Sequence, residues 1–237
     1  MAFPHSHKTV FVLDRFAAFA LPCQQLEYDV GRRGGLGTGC IPLAPISKSV
    51  WTVVVEAVAE YCRIVWDIFP PLDRLIRVVV ADGGYCPEVQ PVLNWGPDTQ
   101  SCAVVLTSLS SVGRPGKGEQ GQHGIMAGIS MGVEALSEPS GRQAGLDRET
   151  LVNRGRLVVV TRLESDREHQ QLVRTVGEQL AAVNKRAASS QGQLPIGGCE
   201  LVIVSTESRG LRAECDTLVE VSPILSTLLY TVPAGPS

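Results

Sequence analysis

Aromatic residues are scarce in this chain, only 5% of its 237 residues. None interleaves with Arg32 and Arg33, or with Arg114 and Lys117. A base-stacking platform needs aromatics among its basic residues, so none is visible, and these charges read as solvated loops. Charge of one sign is missing too. A net charge of −3 gives no overall basic field to hold a polyanion. No apolar run reaches the roughly 18 residues of a membrane helix. The opening Met1–Lys8 is polar and the apolar run after it stops at Asp14, which is not the pattern of a secretory leader.

Motifs of catalysis are also absent. There is no Gly-x-Ser-x-Gly elbow and no dinucleotide fingerprint after the first strand. The Gly31–Gly39 stretch lacks a Gly-Lys-Ser/Thr ending, so it is a surface loop and not a phosphate cradle. Histidine is limited to His5, His7, His123 and His169. His5 and His7 are expected in a mobile end, His169 on the polar side of a helix, and His123 has no identifiable partner for work as a base. The cysteines Cys23, Cys40, Cys62, Cys86, Cys102, Cys199 and Cys215 are scattered and form no C-x-x-C pair. That disfavours zinc and disulfides and fits a reduced intracellular compartment. Cys40 and Cys62 read as a loop and a core residue, not as nucleophiles.

What is present is a series of short apolar runs alternating with amphipathic ones. Thr9–Asp14 (TVFVLD) is a buried parallel strand that delivers one carboxylate at its C-terminal end. Ser47–Phe69 is a helix, with Ser47 as its N-cap and Val50, Trp51, Val54, Val55, Val58, Cys62, Val65 and Trp66 along one face. Pro70-Pro71 stops it. Leu75–Asp82 is a second strand that again ends on an acid. Cys102–Val112 fits either a strand or a short helix. His123–Leu136 is a helix in which Gly124, Gly128 and Gly132 recur every four residues, a spacing that permits close packing on a sheet. Arg156–Thr161 is a third strand, Asp166–Ala187 a long helix, Leu201–Ser205 a fourth strand and Leu228–Val232 a fifth. The segments 15–45, 83–101, 113–124 and 137–154 read as loops. This alternation predicts an α/β fold, a doubly wound, mostly parallel sheet with helices on both faces.

Several blocks resemble one family in the same order along the chain. They are SHKTVFVLD (6–14), IPLAPISKSVW (41–51), EYCRIVWDIFP (60–70), NRGRLVVVT (153–161), CELVIV (199–204) and SPIL (222–225). They resemble the Asunder family, Integrator complex subunit 13. The resemblance implies a single von Willebrand A-like, Rossmann-like domain over 1–237, lacking its last helix and the β-barrel and tail that follow in the family. It implies a nuclear, non-enzymatic scaffold in the Integrator complex, which acts in small nuclear RNA processing and transcription attenuation. It further implies pairing with Integrator subunit 14, contact with subunit 10 and, through that module, nucleic acid. Links to mitosis, the cell cycle and dynein localisation at the nuclear envelope, with a perinuclear pool, come with it. No cofactor and no membrane are implied.

Many A-type domains hold Mg²⁺ through Asp-x-Ser-x-Ser, a threonine and a later aspartate, and that ion needs hard oxygen ligands. Carried onto this chain, the positions are Asp14, Phe16, Ala18, His123 and Arg162. Only Asp14 offers a suitable oxygen, and Arg162 puts a permanent positive charge where a cation would sit. The set is degenerate: either Arg162 pairs with Asp14 in place of the ion, or both side chains are solvated and unpaired. Asp82 and Asp166 are the other acids nearby. The alternative function is a metal-dependent ligand-binding A-type module.

Overall fold

The computed structural model describes residues 1–23, 48–82, 89–91, 93–115, 123–190, 192–206 and 218–231. Its sheet has seven strands: β1 (Lys8–Asp14), β2 (Leu75–Ala81), β3 (Val89–Pro91), β4 (Asn153–Thr161), β5 (Ile196–Ser205), β6 (Val219–Ser222) and β7 (Leu225–Thr231). The order across the sheet is β3-β2-β1-β4-β5-β7-β6. The five central strands run parallel, and the two edges are antiparallel. The short antiparallel edges β3 and β6 were not legible as strands. The fold is the doubly wound α/β arrangement.

The side chains of β1 alternate across the sheet, as an extended chain requires. Val10 and Val12 join one core layer, and Phe11 and Leu13 the other. The first layer is covered by α3 (His123–Ser137) and α4 (Asp166–Ser189), through Ile129, Val133, Leu172, Val176 and Leu180. The second is covered by α1 (Val50–Ile68) and α2 (Cys102–Val112), through Trp51, Val54, Val58, Cys62, Val105 and Leu109. Helix α3 lies close to β1 because Gly128 and Gly132 face it. A Cβ at Gly128 would sit 2.9 Å from Val12 Cγ1 and from Ala81 Cβ.

Several boundaries differ from the sequence reading. Helix α1 is capped by Ser49, whose side chain accepts from the Thr52 N–H at 3.2 Å. Ser47, Gly31–Gly39, Arg32, Arg33, Cys40, Cys86, Lys117 and Cys215 lie outside the described residues. The ambiguous segment 102–112 is helix: Ser101 caps it by accepting from Val104 N, and Val105 and Leu109 bury one face four residues apart. Strands β4 and β5 start earlier than expected, because Asn153 and Ile196 already pair with each other.

The N-terminal segment is packed, contrary to the mobile end expected for His5 and His7. Phe3 is buried with Leu151 and Leu194, and Phe3 N donates to Val152 O at 3.2 Å. His7 and Lys8 are 1% and 0% exposed.

Candidate functional site

Strand β1 has a polar cluster at each end. In an open α/β sheet the carboxyl ends of the strands, at the point where the strand order reverses, are where ligands bind. Here that point lies between β1 and β4, and Asp14 and Thr161 stand there. The register pairs Leu13 with Val160, so Asp14 is level with Thr161. Thr161 Oγ1 donates to Asp14 Oδ2 at 2.7 Å. Burial pushes the Asp14 carboxyl up to about 6, against the pull of the Thr161 hydroxyl and the Phe16 N–H and with help from the nearby Asp82.

Arg162 follows Thr161, one position past the end of β4. Its Nη2 lies 3.5 Å from Glu164 Oε1. The expected Asp14–Arg162 pair is therefore corrected: Asp14 takes a neutral hydroxyl. The positive charge at this rim comes from Arg15, which the sequence reading passed over. Arg15 Nε lies 3.1 Å from Asp82 Oδ1, and its Nη1 donates to Val112 O at 2.5 Å. One guanidinium thus ties the ends of β1 and β2 to the C-terminal end of α2, where a cation suits the helix dipole. A basic residue directly after a strand-terminal acid, with a second strand ending on Asp82, was the signal available for it.

The other expected positions supply no oxygen. Phe16 packs against the second core layer, and Ala18 lies in a short 3-10 turn, Ala17–Ala20. His123 opens α3. Asp166 is the first residue of α4, after the capping Ser165. Among the described residues no group of three or more His, Cys, Asp or Glu side chains is placed to hold a metal ion.

The opposite end of β1 carries a buried cation. Lys8 Nζ donates to Leu136 O at 2.9 Å and to Glu138 O at 2.7 Å, and lies 6.0 Å from the Trp95 ring centroid. These carbonyls are the C-terminal end of α3, so the ammonium caps that helix. Burial nevertheless pushes Lys8 down to about 7, opposed by Glu138. Asn153 Nδ2 shares Leu136 O at 2.9 Å, and Gln143 Nε2 holds Asn153 Oδ1 at 3.0 Å. Arg77 pairs with Glu138 at 2.5 Å.

His7 stands beside this network. Its Nδ1 is 3.1 Å from Asp73 O and its Nε2 3.1 Å from Ser140 Oγ. Burial lowers its pKa, the Asp73 carbonyl raises it, and Lys8, Arg142 and Arg74 lower it further. The Ser–His contact has the reach of a nucleophile and its base, but Ser140 is 0% exposed. It is a structural contact that joins β1 to the segment after α3. Cys62 and Cys199 are buried thiols pushed up to about 12 by that burial, far from thiolate chemistry. Among the described residues no helix is long and apolar enough to cross a membrane.

Residues 3–236 match the family model described as cell cycle and development regulator Mat89Bb. Integrator complex subunit 13 of Homo sapiens is 36% identical over 248 residues, covering 98% of this chain and 34% of the relative. The Xenopus tropicalis protein of the same name is 34% identical over 247 residues, covering 98% of this chain and 34% of the relative. Protein asunder of Drosophila willistoni is 31% identical over 244 residues, covering 98% of this chain and 35% of the relative. The chain spans about a third of the length of the curated relatives it matches. Among solved structures, an aerotolerance-related membrane protein from Bacteroides fragilis NCTC 9343 is 14% identical at a TM-score of 0.39, covering 84% of this chain and 66% of that chain. A likeness that weak bears on no function.

Proposed function

Because the chain belongs to the Mat89Bb family, that of Integrator complex subunit 13 and Asunder, we propose that it is a non-catalytic interaction domain of the Integrator complex. It forms a single A-type domain that works as a scaffold in the nucleus, in small nuclear RNA 3′-end processing and transcription attenuation. Its partners are Integrator subunit 14, in a heterodimer, and subunit 10, with nucleic acid contacted through that module. A perinuclear pool serves dynein recruitment to the nuclear envelope and mitotic progression.

The observation that carries this reading is likeness over 98% of the chain to a protein named as an Integrator subunit. The rim of the sheet supports the non-catalytic part. Asp14 is engaged by the Thr161 hydroxyl, and Arg15 pairs with the neighbouring acid Asp82. The test is size-exclusion chromatography of the purified chain with purified subunit 14. Co-elution as a one-to-one complex is expected. Separate elution of two folded proteins overturns the reading.

A further inference from the structure

The C-terminal end of α1 carries an apolar surface that the core does not use. Ile64 and Ile68 lie one turn apart on its outer face, 45% and 65% exposed. Phe69 and Leu72 continue the surface through the Pro70-Pro71 turn, 38% and 49% exposed. Soluble proteins scatter single apolar residues over their surfaces, but four within nine positions form a patch, and patches mark contact sites.

The patch is rigid. Phe69 N donates to Val65 O at 2.9 Å, and Asp73 N donates to Pro70 O at 2.8 Å, which closes the turn. Trp66 Nε1 donates to Arg74 O at 3.1 Å. The Arg74 guanidinium stacks over the Phe69 ring, 4.5 Å from its centroid. A ring held this way, as Phe69 is, loses little entropy on binding, as an anchor residue requires.

The charges around the patch say what fits it. Arg63 is satisfied within α1 by Glu60 at 2.7 Å and Asp67 at 2.6 Å. Asp73 pairs with Arg142. Arg74 has a backbone carbonyl, Asp73 O at 3.3 Å, and the Phe69 ring, with no carboxylate among the described residues within ion-pair distance. The unmatched charge at the edge of the apolar surface is therefore positive.

We propose that Ile64, Ile68, Phe69 and Leu72 form the docking surface for an amphipathic helix of a second protein, with a carboxylate of that helix reaching Arg74. The Ile64–Ile68 ridge has the four-residue spacing that seats in the groove of another helix. This rests on the proposed scaffold role and names the face that performs it.

The test measures the affinity of the purified 237-residue chain for purified Integrator subunit 14 by calorimetry, with Ile68→Asp, Arg74→Glu and, as a control on another helix, Leu106→Asp on α2. All three positions lie outside the core layers, and thermal melting checks each fold. Losses of about 10-fold or more for Ile68→Asp and Arg74→Glu, with Leu106→Asp unchanged, are expected. Wild-type affinity in both patch variants overturns the docking surface and leaves the scaffold role standing. No binding by the wild-type chain overturns both. Sedimentation of the chain alone supplies one more outcome. Self-association abolished by Ile68→Asp assigns the patch to a second copy and overturns the helix of a partner.

Discussion

Thr161 Oγ1 sits 2.7 Å from Asp14 Oδ2, and this hydroxyl and the Phe16 N–H serve the carboxylate at the head of the sheet. Asp14 is held near 6, above its ordinary 3.8. A raised carboxyl contributes stability that is full below its unfolded value and is lost as pH rises through its folded value. The stability of the wild type relative to Asp14→Asn should therefore fall between pH 4 and pH 7, by about 3 kcal/mol at 1.36 kcal/mol per pKa unit. Urea unfolding across that range checks it, and carbon NMR of the Asp14 carboxyl should show a midpoint near 6.

Lys8 should behave in the opposite sense to a surface lysine. Its folded value, about 7, lies below its ordinary 10.5. Its contribution is full above the unfolded value and is lost as pH falls through about 7. The stability of the wild type relative to Lys8→Met should rise between pH 7 and pH 10, by at most about 1.4 kcal/mol per pH unit. Lys8→Met also strips the donors from Leu136 O and Glu138 O. Buried acceptors left without partners cost about 1–3 kcal/mol each, so the variant should be the less stable at every pH in that window.

Arg15→Ala removes the tie between Asp82 and Val112 O. The expected cost is about 1–3 kcal/mol, as for a hydrogen-bonded charge with partly buried partners. Hydrogen exchange should quicken in the last turn of α2, residues 109–113, before it does in β1. Uniform protection in α2 would show that the guanidinium does not hold the helix.

Gly128 and Gly132 should differ under the same change. A Cβ at Gly128 meets Ala81 Cβ, which is fixed to the backbone of β2, at 2.9 Å. At Gly132 the 2.9 Å contacts are the tips of Leu157 and Val12, and the Leu157 end can rotate. Gly128→Ala should cost about 1–3 kcal/mol by overpacking, more than the roughly 1 kcal/mol of helix propensity it gains. Gly132→Ala should cost less. Thermal melts of the two variants decide the order.

The buried strands were legible because β-branched apolar runs such as TVFVLD have few other uses in a chain of this length. The helix–sheet contact at Gly128 and Gly132 was legible from small residues at four-residue spacing. The two polar clusters were not. Lys8 is buried because the end of α3 brings carbonyls 128 and 130 positions away in sequence to its ammonium. Nothing in the polar run Met1–Lys8 carries that information. At the rim, Asp14 and Arg162 do stand at the ends of adjacent strands, but the partner was missed: Thr161, one residue earlier, is the one whose side chain reaches Asp14. Segment 102–112 stayed ambiguous because a five-residue apolar stretch satisfies both periods. The Ser101 cap and the Val105–Leu109 face decided it.

The central claim is that this domain grips another protein without a metal ion. The most direct measurement is the calorimetric affinity of the chain for Integrator subunit 14, taken once in excess Mg²⁺ and once in EDTA. The account predicts a complex of equal affinity in both. A complex that forms in Mg²⁺ and vanishes in EDTA would contradict it.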